Sequence, residues 1–542
     1  MSLQFITGNS GNGKTKYLFN RIVKEAKANP RDNYLVIVPE QFTMQTQRQL
    51  VDLSENKAIM NIDVLSFKRL AYRVFDELGI TNLTVLEETG KNLVLRKLAA
   101  QEADKLGVIG RNLNRIGYIS EVKSLLSELV QYNISPEELG RYIASGRLSD
   151  TLSDKLKDVL VLYEAFEKFM QDKYITAEEI LNVLSNVAEE SAILRNSVIA
   201  FDEFTGFTPI QNQLIKKLFV ISKKIYVTLT IDCREDIFKS RGMQELFDMP
   251  KRTVKSLTEM AAFYGIEVEE PIILDKNYRL AENEELSFME QQLFRKRRHS
   301  FKKAPKHIHI DCLRDPKQEL TKIARRINEL VRNENLRYRD IAIVTGDVNI
   351  YAGYVREIFD KYNIPYFIDA TQEILFHPFI EFIRSIPDIA AQNFSADAVF
   401  RFLRCGFSEL LDSEIDVLEN YVLACGVRGK SAWDKKWVRL PKHKAGYDIE
   451  LLNQSREYIM ELLKPVYQVF SDKKSTVKDY VLAIYKLIVL LDIPDKLAKK
   501  EQALLDAGDQ TASKEYGQIY KIVMQLFEKY VAVLGDECMD AE

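Results

Sequence analysis

Residues 8–15 read Gly-Asn-Ser-Gly-Asn-Gly-Lys-Thr, which fits the pattern G-x-x-x-x-G-K-[ST]. The chemistry served by this spacing is phosphate binding. A glycine-rich turn points backbone N–H groups at phosphate oxygens, and a lysine neutralises their charge. Gly8, Asn9, Ser10, Gly11, Asn12, Gly13, Lys14 and Thr15 are therefore the candidate nucleotide-binding residues, with Lys14 also in a catalytic role. A nucleotide site of this type needs a second part, an acid at the end of a neighbouring strand to hold Mg²⁺ and a carboxylate to orient water. The run Val-Ile-Ala-Phe-Asp-Glu ending at 203 supplies both. Asp202 joins Thr15 as a magnesium ligand, and Glu203 is the candidate for water activation. Taken singly, each motif has a plainer reading: a polar strand-to-helix turn without a ligand, and a strand running into an acidic turn.

These side chains converge only if particular elements carry them. Residues 3–7 read as a buried strand entering the loop, and the stretch from Lys14 reads as a helix leaving it, which aims the positive end of the helix dipole at the phosphates. Further strands are expected within 33–39 and 60–67, in the alternation with helices that marks an α/β fold with a parallel sheet. Residues 85–195 change to long amphipathic helices, and strands resume at 196–204 and 223–231. One sheet interrupted by a helical insertion accounts for this order. After the basic run at 295–306 a second α/β pattern follows, with strands expected near 307–313, 340–347 and 364–369. The chain from about 390 onward reads as helical. The basic run, with Arg295, Arg297 and Arg298, admits two readings: contacts to DNA phosphates, or a solvated connection between domains.

At 542 residues the chain is too long for a single core, and three or four domains are expected. Its net charge of -3 gives no global attraction to nucleic acid, so any DNA site must be a local groove. No apolar stretch is long enough to cross a bilayer and no signal-peptide pattern is present, which points to an intracellular type of chain. The five cysteines, Cys233, Cys312, Cys405, Cys425 and Cys538, are scattered without a C-x-x-C pair. That spacing argues against a disulfide framework or a zinc site.

Together these motifs resemble superfamily 1 helicases of the UvrD/Rep type, in which two RecA-like domains each carry a helical insertion. Within that group, the early loop, the segment Val-Pro-Glu-Gln-Phe-Thr at 38–43 and the segment Phe-Asp-Glu-Phe-Thr-Gly-Phe-Thr-Pro at 201–209 look most like the AddB family of ATP-dependent helicase/deoxyribonuclease subunits. The resemblance implies a first RecA-like domain at 1–84 and 196–300 with its insertion at 85–195. It also implies the start of a second RecA-like domain at 301–390, with an incomplete insertion at 391–542. It further implies ATP and Mg²⁺ as cofactors, and an exonuclease and helicase role in double-strand break repair by homologous recombination. The implied partners are single- and double-stranded DNA ends and an AddA-type helicase–nuclease subunit, in the bacterial cytoplasm. The family's nuclease and its four-cysteine [4Fe–4S] cluster would belong to a part of the protein outside these residues. Arg279, in Asn-Tyr-Arg, is expected to reach the γ-phosphate across the cleft between the two core domains. Gln41, Thr43 and Ser66 are expected DNA contacts, and Phe42, Phe67 and Tyr72 lie in the same segments. Phe67 fits core packing equally well.

Two departures from the helicase pattern stand out. Only seven residues precede Gly8, leaving no place for the glutamine motif that reads adenine, which disfavours a stand-alone motor. Glu235 stands where the family has a phosphate-sensing glutamine, after Asp232. Hydrolysis remains chemically available through Asp202 and Glu203. The alternative is a non-hydrolysing module that binds ATP and recognises DNA.

Overall fold

Apolar runs from both ends of the first three hundred residues lie side by side in one sheet. The computed structural model describes residues 1–80, 85–108, 110, 117–146, 148–170, 174–295, 299–369, 371, 373–441 and 447–538. The strands are β1 (Ser2–Gly8), β2 (Tyr34–Ile37), β3 (Ile62–Leu65), β4 (Val85–Leu86), β5 (Ile175–Thr176), β6 (Val198–Phe201), β7 (Lys224–Thr230), β8 (Glu267–Val268) and β9 (Ile272–Leu274). The large sheet has the order β3-β2-β6-β7-β1-β8, with β9 also pairing to β1, and all of its pairs are parallel. The strands expected at 3–7, 33–39, 60–67, 196–204 and 223–231 are all in it.

Alternation along each strand explains why the sheet is covered on both faces. Leu3, Phe5, Leu35, Ile37, Ile199, Phe201, Val227 and Leu229 enter one core, together with α3 (Phe67–Leu78) and later helices of this unit. Ile6, Tyr34, Val36, Val198, Ala200 and Tyr226 enter the opposite core, against α1 (Lys14–Ala28) and α2 (Thr43–Leu53). Register then sets the functional edge. Gly8 lies opposite Thr230, Ile37 opposite Phe201, and the Asp202 amide donates to the Ile37 carbonyl at 3.1 Å. The phosphate loop and the acidic pair thus leave the same C-terminal edge of the sheet.

The insertion comprises α4 (Glu88–Gln101), α5 (Tyr118–Gln131), α6 (Pro136–Ala144) and α7 (Asp150–Met170). It also contains a feature absent from the sequence reading, a two-stranded parallel pair of β4 and β5. With two residues in each strand, no alternation exists to reveal it. The next helix, α8 (Ile180–Val187), was expected within the insertion, but its Ile180 and Leu184 lie in the sheet's core. The remaining helices of this unit are α9 (Pro209–Ile221), α10 (Asp248–Phe263) and α11 (Glu284–Gln292). Thr208 and Gln211 start α9 with a reciprocal capping box.

A second compact unit runs from Ile310 to Glu542. Its α12 (Pro316–Asn333) and α13 (Val348–Lys361) pack through Leu320, Ala324, Ile327, Ile358 and Phe359. A larger helical core is built from α14 (Pro378–Ala391), α15 (Ala396–Leu403), α16 (Asp412–Cys425), α17 (Lys430–Asp434), α18 (Ile449–Ser471), α19 (Val477–Leu490), α20 (Ile493–Asp506) and α21 (Gln510–Leu534). The strands expected near 307–313, 340–347 and 364–369 are a correction. These stretches form no paired strand among the described residues, and Asp340 ends a short 3₁₀ turn, Tyr338–Asp340. A strand exists only through a neighbour about 4.8 Å away, and here Ile310, Val344 and Phe367 are 94%, 93% and 88% exposed.

The doubly covered sheet makes a quantitative expectation. Phe201, 1% exposed, should cost about 3–5 kcal/mol on replacement by alanine, read as a lowered urea midpoint for the first unit. Val220→Ala on the exposed side of α9 should shift stability by less than about 0.5 kcal/mol.

Candidate nucleotide-binding site

Backbone conformation builds the phosphate loop. Gly11 and Gly13 have φ of 87° and 79°, a region that side chains rarely occupy. Gly13 is also the residue before α1, and no side chain caps that helix. Its first-turn amides are therefore free to meet an anion. The Lys14 ammonium is folded onto its own loop, donating to the Gly8 carbonyl at 3.1 Å and the Asn9 carbonyl at 3.0 Å. Burial pushes its pKa below the ordinary lysine value, with Glu203 and Asp202 acting in the opposite direction.

The acids stand directly across from the loop. Asp202 is buried, and its Oδ1 accepts from Thr15 Oγ1 at 3.3 Å and from the Thr228 hydroxyl. Burial raises its pKa, opposed chiefly by the Thr228 hydrogen bond. Its Oδ2 is buried without a hydrogen-bond partner. An orphaned carboxylate oxygen beside a threonine hydroxyl is a donor set suited to a hard divalent cation, so these residues fit magnesium. Glu203 holds φ at 64°, an unusual conformation for a non-glycine residue, and its Oε1 lies 3.4 Å from Thr15 Oγ1. A cavity of about 780 Å³ opens here, lined by Lys14, Thr15, Asp202, Glu203, Tyr278 and Arg279 among others.

A strap following β9 lies over the loop. Asn277 Nδ2 donates to the Ser10 carbonyl at 2.9 Å, and the amides of Tyr278 and Arg279 donate to the Gly11 carbonyl at 3.0 and 3.3 Å. A Cβ on Gly11 would stand 2.8 Å from Asn277 Oδ1 and 2.9 Å from Arg279 Cβ, so the strap needs glycine there. Arg279 was expected to act across an interdomain cleft. As its position within 196–300 implies, it belongs to the same compact unit as the phosphate loop, and it lines the loop's own cavity. Sequence reasoning passed over Tyr278, although it is the middle residue of Asn-Tyr-Arg. The residue lines that cavity and is 65% exposed, with the Lys276 ammonium 5.0 Å from the ring centroid.

The expected DNA contacts separate. Gln41 is exposed. Thr43 is buried and its hydroxyl donates to the Glu40 carbonyl at 3.0 Å. Ser66 caps α3 by accepting the Arg69 amide at 3.3 Å, and its hydroxyl donates to the Glu40 carboxylate, which Arg69 Nε also meets at 2.9 Å. The Ser66 hydrogen bond is the main cause that holds Glu40 below its ordinary pKa. Thr43 and Ser66 are thus committed inside the protein. Phe67 takes the core reading, packed on Phe201, Phe204 and Phe207.

Arg295 also departs from expectation. Its guanidinium is turned inward, with Nε 2.9 Å from the Asp232 carboxylate and the side chain only 12% exposed. Arg297 and Arg298 lie outside the described residues. Glu235 pairs with the buried Lys251 at 2.7 Å.

Comparison of the amino-acid sequence with known proteins adds a separate finding. The family model described as ADDB, N-terminal, covers residues 5–290, just over half of the chain. The chain belongs to the AddB family. Its relatives include proteins named as one subunit of an ATP-dependent helicase/deoxyribonuclease. The one from Lachnoclostridium phytofermentans is 38% identical over 99% of this chain and 48% of its own length. That from Caldanaerobacter subterraneus is 32% identical over 100% of this chain and 47% of its own length, and that from Clostridium acetobutylicum is 31% identical over 100% and 48%. The chain therefore spans about half the length of these AddB-family relatives. No described helix is long and apolar enough to cross a membrane.

Two outcomes follow. Gly11→Ala should weaken nucleotide binding at least about tenfold in a titration with a fluorescent ATP analogue, because the left-handed φ and the strap both exclude a Cβ. The second concerns pH. Burial alone would raise the Asp232 carboxyl, but hydrogen bonds from Arg234 and Arg295 outweigh it and hold the pKa far below the ordinary carboxylate range. A depressed pKa contributes stability above the unfolded value of about 4 and loses it as pH falls through the folded value. Asp232→Asn should therefore be less stable than wild type at pH 7, and the gap in unfolding free energy should narrow below about pH 4.

Proposed function

We propose that this chain binds MgATP and DNA as the helicase-like half of a helicase/deoxyribonuclease subunit. It acts with an AddA-type subunit on double-strand breaks that are repaired by homologous recombination. The observation that carries the nucleotide part is the approach of Thr15 Oγ1 to both Asp202 and Glu203, 3.3 and 3.4 Å away, across 187 and 188 residues of sequence. Lys14 would leave the Gly8 and Asn9 carbonyls for phosphate oxygens, and the first-turn amides of α1 would complete the cradle. Thr15 and Asp202 would hold the magnesium ion, which when bound neutralises phosphate charge. Glu203 would orient water, Arg279 would add positive charge at the phosphates, and the exposed Tyr278 would stack on the base. The relatives' naming as subunits supports a partner chain, and Gln41, which is exposed, would be a polar contact to DNA.

Residues 301–390 are read as the opening of a second RecA-like domain and 391–542 as its helical insertion. The match of the AddB-family relatives over 99–100% of this chain supports extending the family reading to these residues.

A second reading keeps ATP binding without turnover. It is favoured by Glu235, whose ion pair with Lys251 removes it from the phosphates and leaves the position of the sensing glutamine without a free amide. ATP binding and hydrolysis with single-stranded DNA, measured for wild type, Lys14→Ala and Glu203→Gln, separate the two. Lys14→Ala should abolish binding. Glu203→Gln should bind normally and lose about 10²–10⁴-fold in turnover if the carboxylate activates water. Wild-type binding with no turnover would select the second reading, and absence of wild-type binding would overturn both.

A further inference from the structure

One side chain of the phosphate loop points away from the cavity into a cluster of charges. Asn9 is 5% exposed. Its Oδ1 accepts the Cys233 amide at 2.9 Å, and its Nδ2 donates to Glu290 Oε1 at 2.9 Å. Cys233 lies in the loop that leaves β7, and Glu290 in the last turn of α11. The same two segments meet again through Arg295, whose Nε is 2.9 Å from Asp232 and whose second terminal nitrogen is 3.8 Å from Glu290. Arg234 forks onto Asp232 at 2.8 and 2.6 Å and reaches the Gln291 carbonyl at 3.0 Å. The Arg295 guanidinium also lies 4.8 Å from the centre of the Phe247 ring.

The arrangement has a consequence for an occupied loop. With Lys14 drawn to phosphate, the carbonyls of Gly8 and Asn9 give up their ammonium donor and keep only backbone partners, the amides of Ile231 and Asn12, so the Asn9 side chain is the side-chain tie left between the loop and the segments around Cys233 and Glu290. Its acceptor, Glu290, is a carboxylate beside an anion site. Left alone it would repel phosphate, and Arg295 offsets that charge.

We propose that Glu290 and Arg295 are positioning residues that act through Asn9, holding the phosphate loop in its nucleotide-receiving shape and linking nucleotide occupancy to the order of α11. The inference rests on the nucleotide reading above. It is tested on the 542-residue chain by calorimetric titration with MgATP and by hydrogen exchange across 284–292. Asn9→Ala and Glu290→Ala should each weaken binding about tenfold, as loss of a charge-assisted hydrogen bond implies. The double variant should be no weaker than either single one, because both remove the same link. Glu290→Gln keeps an oxygen acceptor for Asn9 and should stay within about threefold of wild type. MgATP should slow exchange across 284–292 in wild type and leave it unchanged in Asn9→Ala. Additive losses in the double variant, wild-type affinity in Glu290→Ala, or equal protection in Asn9→Ala would overturn the proposal. Failure of wild type to bind MgATP would instead remove the nucleotide reading itself.

Discussion

Parallel pairing of β1, β7 and β6 is the constraint on which the site depends. Backbone hydrogen bonds fix Gly8 opposite Thr230 and place the start of the acidic turn beside the end of β2. Because the strands run the same way, their C-terminal ends share one edge, where turns gather without crossing the core. Thr15 and Asp202 come within hydrogen-bonding distance as a result of register rather than of any local preference.

Burial then divides the charges at this edge into two groups. Lys14 and Asp202 are held partly unsatisfied, one folded onto its own loop and the other with a free oxygen, and both are displaced from their ordinary pKa values by desolvation. Asp232, Arg234, Arg295 and Glu290 instead satisfy one another. Low dielectric raises the cost of the first group and the strength of the second. The first suits a charged ligand, and the second suits a fixed frame around it. The left-handed Glu203 and the glycine at position 11 are local strain and local clearance that this frame sustains.

The second unit shows the same dependence from the other side. Its helices carry their own apolar seams and pack on them, so α12 and α13 form a core from their own residues. Extended segments have no such independence. Ile310, Val344 and Phe367 have strand-like surroundings in sequence but remain in solvent, where no neighbouring strand among the described residues takes up their backbone groups.

By itself the sequence determined the phosphate loop, the acidic pair, the α/β class of the first unit and its interruption by helices. Glycine spacing, strand alternation and helical periodicity are local properties that survive in a linear string. Tertiary structure decided the rest. It turned Arg295 inward to Asp232, committed Thr43 and Ser66 to Glu40, and set Arg279 and Tyr278 in the lining of the cavity. It also paired β4 with β5 across the insertion and drew α8 into the core of the sheet. The physical reason is that a polar or charged side chain takes whichever partner the packed chain brings near it. That choice is made by residues distant in sequence, which no local pattern records.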